Sequence, residues 1–296
     1  MSDKKRPCPT CGCRLYQETG PCAGEDNRAS KMLVGLSQIN IELTQACDKR
    51  NLCAFCGHQD PAIHFAAAYK PMPFGLLEKI AAQILVGVVV QFHRDGEPTA
   101  YRHLGDALRL FSNHITSLVT HGENLVKRAD DIIDNCTSLT VSMFKGDPDG
   151  QLQMGVLKEF LSMKREQRPM VNIKVVGELP IDRDVYSLGV PVIRRVLHNP
   201  DGNYHYAQRN PTIPEHGICL DFLSHPSVDW QGRLYICNRL DPANLGLLGD
   251  LQTSTLEELW NSPKRLEWLE AHKRGRRDQA SPLCKDCLFW GIATSP

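Results

Sequence analysis

Between residues 39 and 197 a short apolar run and an amphipathic stretch alternate, and this alternation restricts the fold more than any other feature. INIELT (39–44), GVVVQF (87–92), ITSLVT (115–120), SLTVSM (138–143), VNIKVV (171–176) and PVIRRVL (191–197) read as strands. FGLLEKIAAQIL (74–85), YRHLGDALRLF (101–111), GENLVKRADDIID (122–134), LQMGVLKEFLSMKRE (152–166) and DRDVYSLG (182–189) lie between them and read as helices. Six strands joined through helices predict a parallel sheet with right-handed crossovers, hence an α/β fold. The pattern stops near residue 199, where a stretch rich in Pro, Gly and Asn reads as a linker over 199–217. The expected division is a Cys-rich segment over 1–35, an α/β unit over 36–198, the linker, and a Cys-rich module over 218–296.

The start, MSDKKRP, is charged and no apolar segment follows it. The most apolar run, AAQILVGVVVQF (81–92), is far shorter than the ~20 residues that span a bilayer. A cytoplasmic protein with no membrane partner is expected. In a reducing compartment the twelve cysteines point to metal ligation rather than disulfides. Lys+Arg and Asp+Glu each number 34, a balance that disfavours duplex DNA as main partner without excluding nucleic acid. KRGRR (273–277) reads as a solvated helix end.

The cysteines fall into groups: Cys8, Cys11, Cys13 and Cys22; then Cys47, Cys53 and Cys56; then Cys219, Cys237, Cys284 and Cys287. Cys136 stands alone and reads as a small buried residue. The middle group has three thiols where a structural zinc site takes four ligands. A [4Fe–4S] cluster with three thiolates leaves one iron open to a small molecule. A zinc knuckle completed by His58 or a distant thiolate is the alternative. Cys47, Cys53 and Cys56 follow the first strand, at the rim where (β/α) barrels assemble active sites. The second strand ends at the same rim in HRDGEPT (93–99), whose glycine admits close approach to the main chain.

A three-cysteine loop with Phe55 before its last cysteine, beside the turn Gly96-Glu97-Pro98, resembles the radical S-adenosylmethionine (SAM) superfamily over residues 36–197. The resemblance implies a partial (β/α)6 barrel. It implies that Cys47, Cys53 and Cys56 hold a [4Fe–4S] cluster whose open iron is chelated by SAM, with Phe55, Gly96, Glu97, Pro98 and Ser142 at the cofactor. Such a cluster cleaves SAM reductively, and the 5′-deoxyadenosyl radical takes a hydrogen from substrate; a reductant such as a flavodoxin or ferredoxin supplies the electron. The loop departs from the usual C-x3-C-x2-C by two extra residues, and Asp95 stands where the family often has a second glycine.

The late segment, with C-x12-G-x4-C over 219–237, a WQGR hairpin, LEELWNS, and CKDC at 284–287, resembles the SPASM/Twitch extension of the same superfamily, in its shorter single-cluster form. That implies a β-hairpin/helix module in which Cys219, Cys237, Cys284 and Cys287 fully ligate an auxiliary [4Fe–4S] cluster for electron transfer. A zinc ribbon has similar spacing. Cys8, Cys11, Cys13 and Cys22, opening on CPTCG, predict a further site for zinc or a third cluster.

His58, His93 and His121 are expected at the barrel mouth, and Gln91, Asn172 and Lys174 are the strand residues expected to face the lumen. His103, His114 and His198 read as surface or helix-end residues. The expected function is therefore radical SAM chemistry on a small or nucleotide-like molecule. The segment before the barrel is too short for a leader-peptide-binding domain, which favours that substrate class over a peptide. A peptide-modifying maturase and a non-catalytic zinc or iron–sulfur protein are the alternatives.

Overall fold

The computed structural model describes residues 33, 35–49, 70–144, 147, 149–176, 183–195, 218–239, 241–285 and 287. Residues Met1–Gly35 and Leu36–Pro296 form two compact units, and the described strands and helices all belong to the second.

Six strands succeed one another as expected: β1 (Gln38–Ile41), β2 (Val89–Phe92), β3 (Thr116–Thr120), β4 (Ser138–Phe144), β5 (Met170–Val176) and β6 (Val192–Arg195). Each pairs in parallel with the next. The intervening helices are α1 (Phe74–Ala81), α2 (Leu104–Leu110), α3 (Ala129–Ile132), α4 (Gly150–Lys164) and α5 (Arg183–Tyr186). The late segment adds α6 (Leu220–Ser224), β7 (Ser227–Val228), β8 (Arg233–Tyr235), β9 (Leu247–Asp250), α7 (Leu256–Trp260), α8 (Pro263–Lys273) and α9 (Pro282–Lys285).

The strand order is β6-β5-β4-β3-β2-β1-β7-β8-β9, an open sheet. β7 lies parallel beside β1, so the late segment continues the sheet from the strand that leads into the cysteine loop. β7, β8 and β9 then run antiparallel, with Gly232 at positive φ in the WQGR turn.

Strand alternation separates two faces. Ile39, Ile41, Val90, Phe92, Leu118, Leu139, Val141, Ile173 and Val175 are fully buried on one of them. Phe92 meets Phe111, at the end of α2, ring to ring. Each such side chain contributes roughly 1.5–3 kcal/mol. The opposite face is polar. Gln38 Nε2 donates to Gln91 Oε1 (3.0 Å) and Gln91 Nε2 to Ser117 Oγ (3.3 Å). Further along, Thr140 Oγ1 donates to Asn172 Oδ1 (2.9 Å), and Lys174 follows Asn172 on the same face of β5. Gln91, Asn172 and Lys174 thus share the polar face.

The helix expected over 122–134 is shorter in the structure. Only Ala129–Ile132 is α-helical, because Gly122 takes a positive φ and the turns after it are held by side chains of other loops. Cys136 is buried as expected, donating to the Ser138 carbonyl (3.1 Å), and burial raises its thiol to about 11.

Candidate active site and cluster module

After β1 the chain crosses Thr44, which bridges to Pro71, and reaches Cys47, Asp48 and Lys49. The turn after β2 packs directly on this stretch. Glu97 N donates to the Ala46 carbonyl (2.8 Å). A Cβ on Gly96 would stand 1.8 Å from the Thr44 carbonyl oxygen, so only glycine fits. Pro98 opens a 3-10 turn over Pro98–Ala100, where its missing N–H costs nothing.

Glu97 is buried and its carboxylate is fully engaged. Oε1 accepts from Thr99 N (2.9 Å), Thr99 Oγ1 (2.6 Å) and Thr120 Oγ1 (2.7 Å), and Oε2 accepts from His121 N (2.9 Å). The carboxylate therefore ties the turn after β2 to the end of β3. His121 Nε2 meets Asp48 Oδ1 at 2.5 Å, and this bond holds the Asp48 carboxyl down to about 2. Among the described residues, the ligand atoms of Cys47, Asp48 and His121 lie within 4.8 Å of one another. Ser142 is half-buried near the end of β4, in register with Lys174. Gln153 Nε2 donates both to the Ser142 carbonyl (2.8 Å) and to the His121 carbonyl, pinning the ends of β3 and β4 together.

Sequence reasoning missed Lys49. Its side chain is 1% exposed, and its ammonium pairs with Glu123 Oε1 (2.5 Å), Asp147 (2.7 Å) and Asp149 (3.5 Å). Bonds to Asp147 and Glu123 outweigh the larger effect of burial and raise its pKa. The available signal was an acidic residue after β3 and two after β4, at the rim that receives the cysteine loop. A second missed group joins the late segment to the rim. Buried Arg94 stacks over Tyr235 (4.1 Å) beside Asp95 (3.6 Å) and Asp229 (3.8 Å). Glu42 accepts from Asp95 N (3.3 Å) and Trp230 N (3.2 Å); burial first, then the Asp95 charge, pushes it up to about 8.

Cys237 and Cys284 lie in one apolar cluster with Phe222, Ile236, Ala271, Ala280 and Leu283, Cys219 packs against it, and Cys287 is buried beside Cys284. Burial and then the neighbouring sulfurs Cys237, Cys219 and Cys287 push the Cys284 thiol far up. Buried thiols acting on one another in this way are a donor set that a bound metal group would stabilise as thiolates. Arg277 Nε donates to the Cys284 carbonyl (2.6 Å) and Nη2 to that of Cys287, so one arginine expected on a solvated helix end instead holds the closing knuckle. Cys53, Phe55, Cys56, His58, His198 and Cys8, Cys11, Cys13 and Cys22 lie outside the described residues.

Residues 219–288 match the family model described as SPASM, an iron–sulfur cluster-binding domain. No curated protein matches the chain. Among solved structures, BtrN in complex with AdoMet and 2-DOIA is similar at 18% identity and TM-score 0.52, over 85% of this chain and 92% of that one. SuiB of Streptococcus suis bound to S-adenosylmethionine is similar at 13% identity and TM-score 0.59, over 85% and 72%. Native anSMEcpe with bound AdoMet is similar at 16% identity and TM-score 0.57, over 80% and 84%. Among the described residues no helix is long and apolar enough to cross a membrane. Residues 219–288 therefore resemble the SPASM iron–sulfur cluster-binding domain, and the chain shares its fold with the BtrN, SuiB and anSMEcpe structures.

Proposed function

We propose that the protein is a radical SAM enzyme acting on a small polar molecule, with Cys47, Cys53 and Cys56 holding the SAM-binding cluster and Cys219, Cys237, Cys284 and Cys287 the auxiliary one. The observation that carries the reading is the bond from Glu97 N to the Ala46 carbonyl, which seats the Gly96-Glu97-Pro98 turn against the residue before Cys47. When bound, the open cluster supplies the electron that cleaves SAM to a 5′-deoxyadenosyl radical.

The chain's own residues hold and orient. Gly96 lets the turn press against β1, and Glu97 keeps that turn in register with β3. Lys49 and its three carboxylates fasten the longer cysteine loop to the loops after β3 and β4. Gly96, Pro98 and Ser142 line the rim where SAM would lie. The polar face of the sheet below them, with Gln91, Thr140, Asn172 and Lys174, supports a hydrogen-bonding small-molecule substrate rather than an apolar one.

Reconstitution without oxygen, followed by reduction with SAM present, tests the reading through 5′-deoxyadenosine. Cys53→Ala or Cys56→Ala should abolish its formation and remove about one cubane of iron, leaving the iron of the late module. Unchanged SAM cleavage in either variant refutes the assignment.

A further inference from the structure

We propose that Arg277 sets the reduction potential of the auxiliary cluster, holding it above the value the four cysteines alone would give. This rests on the late cluster of the proposed function and names the residue that governs its readiness to accept an electron.

Arg277 opens a 3-10 turn (Arg277–Gln279) between α8 and α9, and its guanidinium turns onto the closing CKDC knuckle. Nε donates to the Cys284 carbonyl (2.6 Å) and Nη2 to the Cys287 carbonyl. Covalent geometry keeps a cysteine sulfur within about 5 Å of its own carbonyl oxygen, so one cation stands behind two of the late cysteines. Cys284 and Cys287 are buried, which weakens the screening between that cation and their sulfurs.

The charged groups around this turn are otherwise matched or neutral. Arg276 and Asp278, both exposed, bind each other through two bonds (2.9 and 2.6 Å). Arg239, two residues after Cys237, is held by Asp221 (2.6 Å). His272 Nδ1 accepts from Cys219 N (3.3 Å); burial first, then the Arg277 charge, lowers this ring to about 4, so it is neutral. Burial and the neighbouring sulfurs push the Cys284 thiol up, and the Arg277 charge acts in the opposite direction. Among the described residues, Arg277 is the cation whose bonds go to two of the ligand residues themselves. Four thiolates give a cluster net negative charge, and each electron it takes up adds to that charge. A fixed cation beside it stabilises the reduced form more than the oxidised one, which raises the potential.

The test is a redox titration with dithionite, read by electron paramagnetic resonance, on the reconstituted full chain carrying Cys53→Ala, so that the late cluster is read alone. Arg277→Gln should keep its iron and lower the reduced-to-oxidised ratio at a fixed potential about tenfold, a one-electron midpoint about 59 mV more negative. Arg277→Lys keeps the charge and should stay within about threefold of the parent, as should Arg276→Gln, whose charge is already matched. An unmoved midpoint in Arg277→Gln, or an equal drop in Arg277→Lys or Arg276→Gln, overturns the proposal. Iron lost from either Arg277 variant makes the arginine a structural clamp and overturns it as well. A parent without iron in the late module refutes the auxiliary cluster itself. Midpoints that move as stated, in a protein whose wild-type form never cleaves SAM, keep this inference and end the proposed function.

Discussion

Two buried carboxyl groups, just beyond the ends of neighbouring strands β1 and β2, meet opposite fates. Glu97 has four short bonds from N–H and O–H donors, which stabilise its carboxylate. Replacing it with alanine leaves Thr99, Thr120 and the His121 N–H to find new partners, and loosens the turn. SAM affinity should fall by about 1.5–3 kcal/mol while the cluster stays, and a cofactor titration with wild-type affinity would refute the role. Glu42 has two weaker backbone donors and faces Asp95. Its folded pKa of about 8 lies above the ordinary 4.5, so the stability from its bound proton is complete below pH 4.5 and is lost as pH rises to about 8. Wild type should therefore lose more stability than Glu42→Met between pH 5 and 8, by on the order of a few kcal/mol in urea unfolding. Parallel pH profiles would show that Glu42 titrates normally.

At the scale of elements, the rim is built by loops that clamp one another. The loop after β1 is held from the β2 side by Gly96 and Glu97, and from the β3 and β4 side by Glu123, Asp147 and Asp149 through Lys49. Asp147 is as deeply buried as the ammonium it faces. Lys49→Met leaves that carboxylate without its partner, so unfolding free energy should drop by about 3–5 kcal/mol. A drop below about 1 kcal/mol would mean the group is solvated and the clamp is not structural.

For the whole molecule, the decisive contact is β7 beside β1, because it makes the SPASM-like segment an extension of the sheet rather than an appendage. Arg94, from the turn after β2, sits between Asp95, Asp229 and the ring of Tyr235, and reinforces that junction. Cys237 follows β8 closely, so the apolar cluster it shares with Cys284 and Cys219 is tied to the same sheet that positions the rim. In the proposed reaction Cys219, Cys237, Cys284 and Cys287 would hold an auxiliary cluster there, and the chemistry it would supply is electron transfer. The Cys284→Ala/Cys287→Ala double variant should contain less iron, lose no zinc, still form 5′-deoxyadenosine, and lose most of its product formation. Loss of zinc with iron retained would make the module a structural ribbon and end the redox role.

How much of the molecule is legible in the chain depends on the range of each signal. Strand and helix alternation is a local periodicity, so all six strands and their order of appearance could be read from the chain, as could Gly232 at a hairpin tip. Cysteine spacing is also local, and C-x12-G-x4-C with C-x2-C marked the segment that the SPASM model matches. The shortened helix after β3 was not legible, because long-range bonds to Asp48 and Thr99 overrode its propensity. Nor was the Lys49 clamp, whose bond to Asp147 spans 98 residues, or the Asn40–His225 pair, which spans 185. Such partners are chosen by strand register and crossover, which bring distant residues to one rim. Sequence alone determined the six strands and their succession, and which late segment would match the SPASM model; the tertiary structure decided which buried charges meet, because only chain closure brings those residues within hydrogen-bonding distance.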